Sequence, residues 1–134
     1  MTDIADLTIG ELAAYIAEHL HSNGIETVLV GGACISIYSA NEYSSFDLDF
    51  VITGLSTRQR VRTALAEINF KEENRYFIHP QIQFFIEFPS GPLAIGDEPP
   101  SEIRSLGFST GNLRLLSPTD CVKDILSLER PAEP

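Results

Sequence analysis

The 134-residue chain reads as a single α/β (α+β) domain, residues 1–134, with a mixed β-sheet flanked by helices. Two observations predict this class. Segments with apolar residues at helical spacing alternate along the chain with short runs whose apolar residues recur at every second position. The length of 134 residues is enough for one buried core and too little for two, and no linker-like composition or internal repeat divides it.

The elements follow in order. Thr8-Ile9-Gly10-Glu11 is a capping box, and Leu12, Tyr15, Ile16, His19 and Leu20 follow at helical spacing until Gly24. Ile25 to Val30 is a strand, Gly31-Gly32 a tight turn, and Gly32 to about Ala40 a second helix. Phe46 to Ile52 alternates strictly, which puts Phe46, Leu48, Phe50 and Ile52 on one face and Asp47 and Asp49 on the other. After a loop at Thr53–Thr57, Val61, Leu65 and Ile68 mark a third helix ending near Asn69. Arg58, Arg60 and Arg62 make its outer face basic, either as a solvated face or as contacts for a triphosphate or RNA.

Phe70 to Ile78 is expected to pair with Gln81 to Phe88 across His79-Pro80. Pro89-Ser90-Gly91-Pro92 is a turn, Leu93 to Pro100 holds at most a short strand, and Ser101 to Leu106 reads as one helical turn. Leu113 to Leu116 is a last strand. Ser117-Pro118-Thr119-Asp120 then starts a helix with a cap serine and a first-turn proline, and Cys121, Val122, Ile125 and Leu128 form its apolar stripe.

Composition narrows the function classes. A formal charge of −10 excludes strong non-specific nucleic-acid binding, which needs a surplus of lysine and arginine. No apolar run reaches the ~20 residues that cross a bilayer, and the acidic start lacks the form of a secretory signal. A cytoplasmic protein with no membrane partner is expected. Cys34 and Cys121 match no Cys-x-x-Cys spacing and are expected as reduced, buried thiols. His19, His21 and His79 match no zinc pattern.

The stretch from Val28 to Ile52 carries the chemistry. The glycines Gly31 and Gly32 let a phosphate come close to the backbone where the second helix begins. Asp47 and Asp49, at i and i+2 of a strand, stand roughly 6.5 to 7 Å apart along the chain and can converge on hard cations. Mg2+ suits them, because it prefers oxygen ligands and is usually held by one or two carboxylates together with substrate phosphates.

Gly31-Gly32, a helix, and then Ser45-Phe46-Asp47-Leu48-Asp49 on a strand resemble the signature of the nucleotidyltransferase superfamily related to DNA polymerase beta. The chain looks like the small nucleotidyltransferase-like proteins of bacterial toxin–antitoxin and abortive-infection systems. The segments Glu87-Phe88-Pro89-Ser90-Gly91-Pro92-Leu93 and Leu116-Ser117-Pro118-Thr119-Asp120 resemble theirs too. The resemblance implies a minimal nucleotidyltransferase fold and Mg2+-dependent movement of an NMP from an NTP to a hydroxyl acceptor on a protein or tRNA. A cognate antitoxin or toxin is the implied partner.

Residue by residue, the resemblance implies that Gly31 and Gly32 hold the triphosphate and that Ser44 or Ser45 hydrogen-bonds to it. Ser45 is preferred because it shares strand parity with the aspartates. Asp47 and Asp49 bind the metal, and the family's third acid falls on Glu87, as metal ligand or general base. The alternation puts Phe84, Ile86 and Phe88 on one face and Gln83, Phe85 and Glu87 on the other. Asn41-Glu42-Tyr43 stands where the family often has an arginine. That departure favours the alternative, a catalytically inactive module that binds a nucleotide or a partner protein.

Overall fold

The computed structural model describes residues 3–39, 47–90, 93–95 and 98–129. Helix α1 (Ile9–Ser22) opens with the expected reciprocal cap: the Glu11 N–H donates to Thr8 Oγ1 at 3.2 Å and the Thr8 N–H to Glu11 Oε1 at 3.0 Å. Such caps satisfy two of the free N–H groups at a helix start and contribute about 1 kcal/mol. Gly24, at φ +77°, turns the chain into β1 (Thr27–Val30). Helix α2 (Gly32–Tyr38) and strand β2 (Asp47–Ile52) follow. Helix α3 (Arg58–Ala66) is capped by Thr57, whose hydroxyl accepts from the Arg60 N–H. The remaining elements are β3 (Lys71–Glu73), β4 (Tyr76–Ile78), β5 (Phe85–Glu87), β6 (Ile103–Phe108), β7 (Gly111–Leu116) and α4 (Pro118–Glu129).

The strands form one seven-stranded sheet in the order β3-β4-β5-β2-β1-β7-β6. It is mixed and unclosed: β1 lies antiparallel to β2 and parallel to β7, and β2 runs parallel to β5. This is the α+β class expected from the sequence. Leu29, Leu48, Phe50, Phe77, Ile86, Leu113 and Leu115 are all buried, in one core with Leu12, Ile16 and Leu20 of α1 and Val61 and Leu65 of α3. The alternation along β2 therefore sends Leu48 and Phe50 into the core and leaves Asp47 exposed and Asp49 half-buried on the other face. Among the described residues, no helix is long and apolar enough to cross a membrane.

Two local expectations are corrected. Phe70 to Ile78 is not one strand but a hairpin of its own, β3 against β4, closed by Asn74 at φ +59° and Arg75. Asparagine tolerates this left-handed conformation, so a two-residue turn fits inside the polar stretch Lys71 to Arg75. The antiparallel pairing across His79-Pro80 does form, between β4 and β5, but over a short register. Ser101 to Leu106 is not a helical turn. Most of it belongs to β6, which gains its structure from six register pairs with β7, a long-range partner invisible to local periodicity.

The arginine face of α3 is also used internally. Arg58 and Arg62 both pair with Glu72, at 2.8 and 2.7 Å, and the Arg60 guanidinium donates to the Asn23 carbonyl at 2.7 Å. These side chains clamp α3 to the β3 hairpin and to the end of α1. At the other end of the sheet, buried Asp120 of α4 accepts from the Ser101 N–H at 2.7 Å, the Ser101 hydroxyl at 2.9 Å and the Glu102 N–H at 3.4 Å. Burial raises the pKa of this carboxyl, but the hydrogen bonds outweigh it and hold the group below its ordinary value. The Ser117 hydroxyl accepts the Asp120 N–H, as the predicted cap requires.

Candidate active site

Register brings the acids together. Asp49 is the cross-strand partner of Glu87 on one side and of Val30 on the other, and Asp47 is the partner of Phe85. Opposite residues in a sheet share a face, so Asp47, Asp49 and Glu87 stand on the same side, away from the core. Glu87, for which the sequence left a sheet edge or a place beside the aspartates open, stands beside Asp49 on an interior strand. The parallel pairing of β2 with β5 is what places it there.

The turn at the end of β1 abuts this cluster. Gly31 has φ +76°, and a Cβ built on it would lie 2.7 Å from Asp49 Oδ2. Glycine is therefore required twice over, for its backbone conformation and for the space that the carboxylate occupies. The Gly31 N–H donates to Asp124 Oδ2 of α4 at 3.1 Å, and the Cys121 thiol to the Gly31 carbonyl at 3.8 Å. Cys34, behind the turn, donates to the Leu29 carbonyl at 3.0 Å. Both cysteines are free and buried, as expected.

The electrostatics single out Asp49. Burial first, then the charge of Glu87 and of Asp47, a hydrogen bond with Glu87 and the charge of Asp124 push its carboxyl from the ordinary 3.8 up to about 7. Its Oδ1 is buried and has no hydrogen-bond partner among the described residues. Asp124 is raised as well, by burial, with the Gly31 N–H opposing. Among the described residues, Arg75 is the cation beside Glu87, with Nε 3.5 Å from Oε1.

An oxygen without a partner beside a second carboxylate is a donor set that fits Mg2+, which takes one or two protein carboxylates and completes its shell with water and phosphate. The three acids are not drawn into a closed cage: among the described residues, no group of three or more His, Cys, Asp or Glu is disposed to hold a metal by itself. Ser44 and Ser45, expected against a triphosphate, lie outside the described residues, as does Phe46. Gly31 lies beside the acids, with Gly32 next to it at the start of α2. The anion on the Gly31 N–H is the chain's own Asp124.

Asp124 escaped the sequence reading. It lies one helical turn after the capping acid Asp120, but 93 residues from Gly31, and only the packing of α4 against α2 joins them. Arg75 and Tyr76 meet Glu87 only through the register of β4 with β5, which no local pattern shows. No family model, no curated protein and no solved structure matches the chain.

Proposed function

We propose that the chain is a Mg2+-dependent nucleotidyltransferase that moves an NMP from an NTP to a hydroxyl acceptor. The observation that carries the reading is the gathering of Asp47, Asp49 and Glu87 on one sheet face beside a glycine turn, with a buried Asp49 oxygen that has no partner among the described residues. Burying a carboxylate in this way costs free energy unless a cation or proton accompanies it. A purely structural strand face has no use for such an arrangement. Held by Asp47 and Asp49, Mg2+ would supply charge neutralisation for the phosphates as pyrophosphate leaves.

The chain's own groups have separate tasks. Gly31 and Gly32 give the triphosphate a backbone surface without side chains, on the β1 side of Asp49. Glu87, on the β5 side, takes the proton of the attacking hydroxyl. Burial and the neighbouring acids raise the Asp49 carboxyl to about 7, so near neutral pH it exchanges a proton with solvent, and a bound cation would favour its ionised form. Placement of the protein in a toxin–antitoxin pair rests on the sequence resemblance.

A second reading, a catalytically silent nucleotide-binding module, is favoured by Arg75 on Glu87 and Asp124 on Gly31, since both occupy groups that catalysis needs. One experiment separates the two. The chain is incubated with each labelled NTP, Mg2+ and candidate protein or tRNA acceptors, and its melting is followed with the same ligands. Transfer lost in Asp47→Asn and Glu87→Gln supports the enzyme; a melting shift without transfer to any acceptor supports the module; neither effect at millimolar ligand removes both.

A further inference from the structure

The carboxylates share their sheet face with aromatic rings. Phe85 is the register partner of Asp47, and Tyr76 that of Glu87, so both rings project on the same side as the acids, one or two strand spacings of ~4.8 Å away. Their centroids are 5.6 Å apart, with the planes inclined at 55°. Phe85 leaves 44% of its surface in solvent. Arg75 stands over Tyr76 with its guanidinium carbon 5.4 Å from the ring centroid, donates to the Tyr76 hydroxyl at 3.3 Å, and reaches Glu87 while its side chain stays 73% exposed.

A lone exposed phenylalanine is ordinary. Two rings and an arginine in line with three carboxylates are the components of a stacking surface, since aromatic faces and a guanidinium plane hold nucleobases without needing a particular sequence. The side of the site matters too. Gly31 lies on the β1 side of Asp49, whereas the rings lie beyond Glu87 on the β5 and β4 side. In an in-line displacement the leaving and attacking oxygens occupy opposite sides of the reacting phosphorus.

We propose that Phe85, Tyr76 and Arg75 form a platform for a nucleobase of the acceptor, so that the modified hydroxyl is a ribose hydroxyl of a single-stranded RNA end. The proposal rests on the transfer reading above. The ribose oxygen attacks the α-phosphorus of the NTP, its O–P bond forms as the bond from that phosphorus to the bridging oxygen of pyrophosphate breaks, and the hydroxyl proton passes to Glu87. Stacking of one or two terminal bases also agrees with a chain of net charge −10, because it needs few phosphate contacts.

The test uses a fluorescein-labelled hexaribonucleotide and the same oligomer with an abasic terminal nucleotide, titrated in Mg2+ with the intact chain and followed by anisotropy. The complete oligomer is expected to bind about 5- to 100-fold more tightly than the abasic one. Phe85→Ala removes this difference and Phe85→Trp keeps it; Phe85→Leu serves in place of the alanine variant if that one melts early. Equal binding of the two oligomers, or discrimination unchanged in Phe85→Ala and Phe85→Leu, overturns the platform. So does NTP label arriving on a protein side chain at the same rate in Phe85→Ala as in the parent. The Mg2+–NTP melting shift, read on the same samples, separates the failures: a shift without base discrimination removes the platform alone, and no shift removes the transfer reading and the acceptor platform with it.

Discussion

Replacing Asp49 by asparagine should stabilise the metal-free protein, the reverse of what removal of a buried structural aspartate does. The carboxyl is raised from 3.8 to about 7, by burial first and then by Glu87, Asp47 and Asp124. At ~1.36 kcal/mol per pKa unit, ionising it in the folded chain costs at most ~4 kcal/mol more than in the unfolded one. Asp49 keeps contact with water, and screening reduces this to ~1–2 kcal/mol. For a domain of this size that is a rise in Tm of about 4–7 °C. The asparagine amide can also donate to Glu87.

The sign and the pH window follow from linkage. A carboxyl whose folded pKa lies above its unfolded one leaves the native state at full stability below about pH 3.8 and withdraws that stability as pH rises to about 7, with no further change above. The gain from Asp49→Asn should therefore be absent near pH 4, grow through pH 5 and 6, and be complete by pH 7.5. Thermal melts of both proteins followed by circular dichroism, with EDTA present, measure it. A variant that melts below its parent at pH 7.5, or a difference that does not vary with pH, would refute the placement of Asp49 in a crowded acidic site.

Two further substitutions probe the surroundings. Asp124→Asn removes a negative charge that accepts the Gly31 N–H and should tighten Mg2+–NTP binding by about 1 kcal/mol, roughly fivefold, by calorimetry; weaker binding would show that this carboxylate holds the turn in shape instead. Asp120→Ala leaves the Ser101 N–H, the Ser101 hydroxyl and the Glu102 N–H without their acceptor and should lower stability by about 2–4 kcal/mol in urea denaturation, while a loss under 1 kcal/mol would mean that β6 is held by its pairing with β7 alone.

What was legible in the sequence is local physics. The Thr8–Glu11 box, the Ser117 cap, the glycine turn and the alternation of Leu48 and Phe50 against Asp47 and Asp49 each depend on neighbours within four residues, and each has its expected form. From these the α+β class, a mixed sheet and the face of the aspartates follow. The Asn74 turn is local too, and lies in the polar stretch Lys71-Glu72-Glu73-Asn74-Arg75, but a two-residue left-handed turn leaves little trace in periodicity.

Tertiary structure alone decided who stands beside whom. Whether Glu87 sat on an edge or against Asp49 depended on the parallel register of β2 with β5, and Ile103 to Phe108 became a strand only because β7 was there to pair with it. The arginines of α3, equally suited to solvent or to phosphate, were claimed by Glu72 and by the Asn23 carbonyl. Asp124 reached Gly31 across 93 residues. Such contacts cost chain entropy to close and are repaid only by the whole packed core, so no window of the sequence contains the information that selects them.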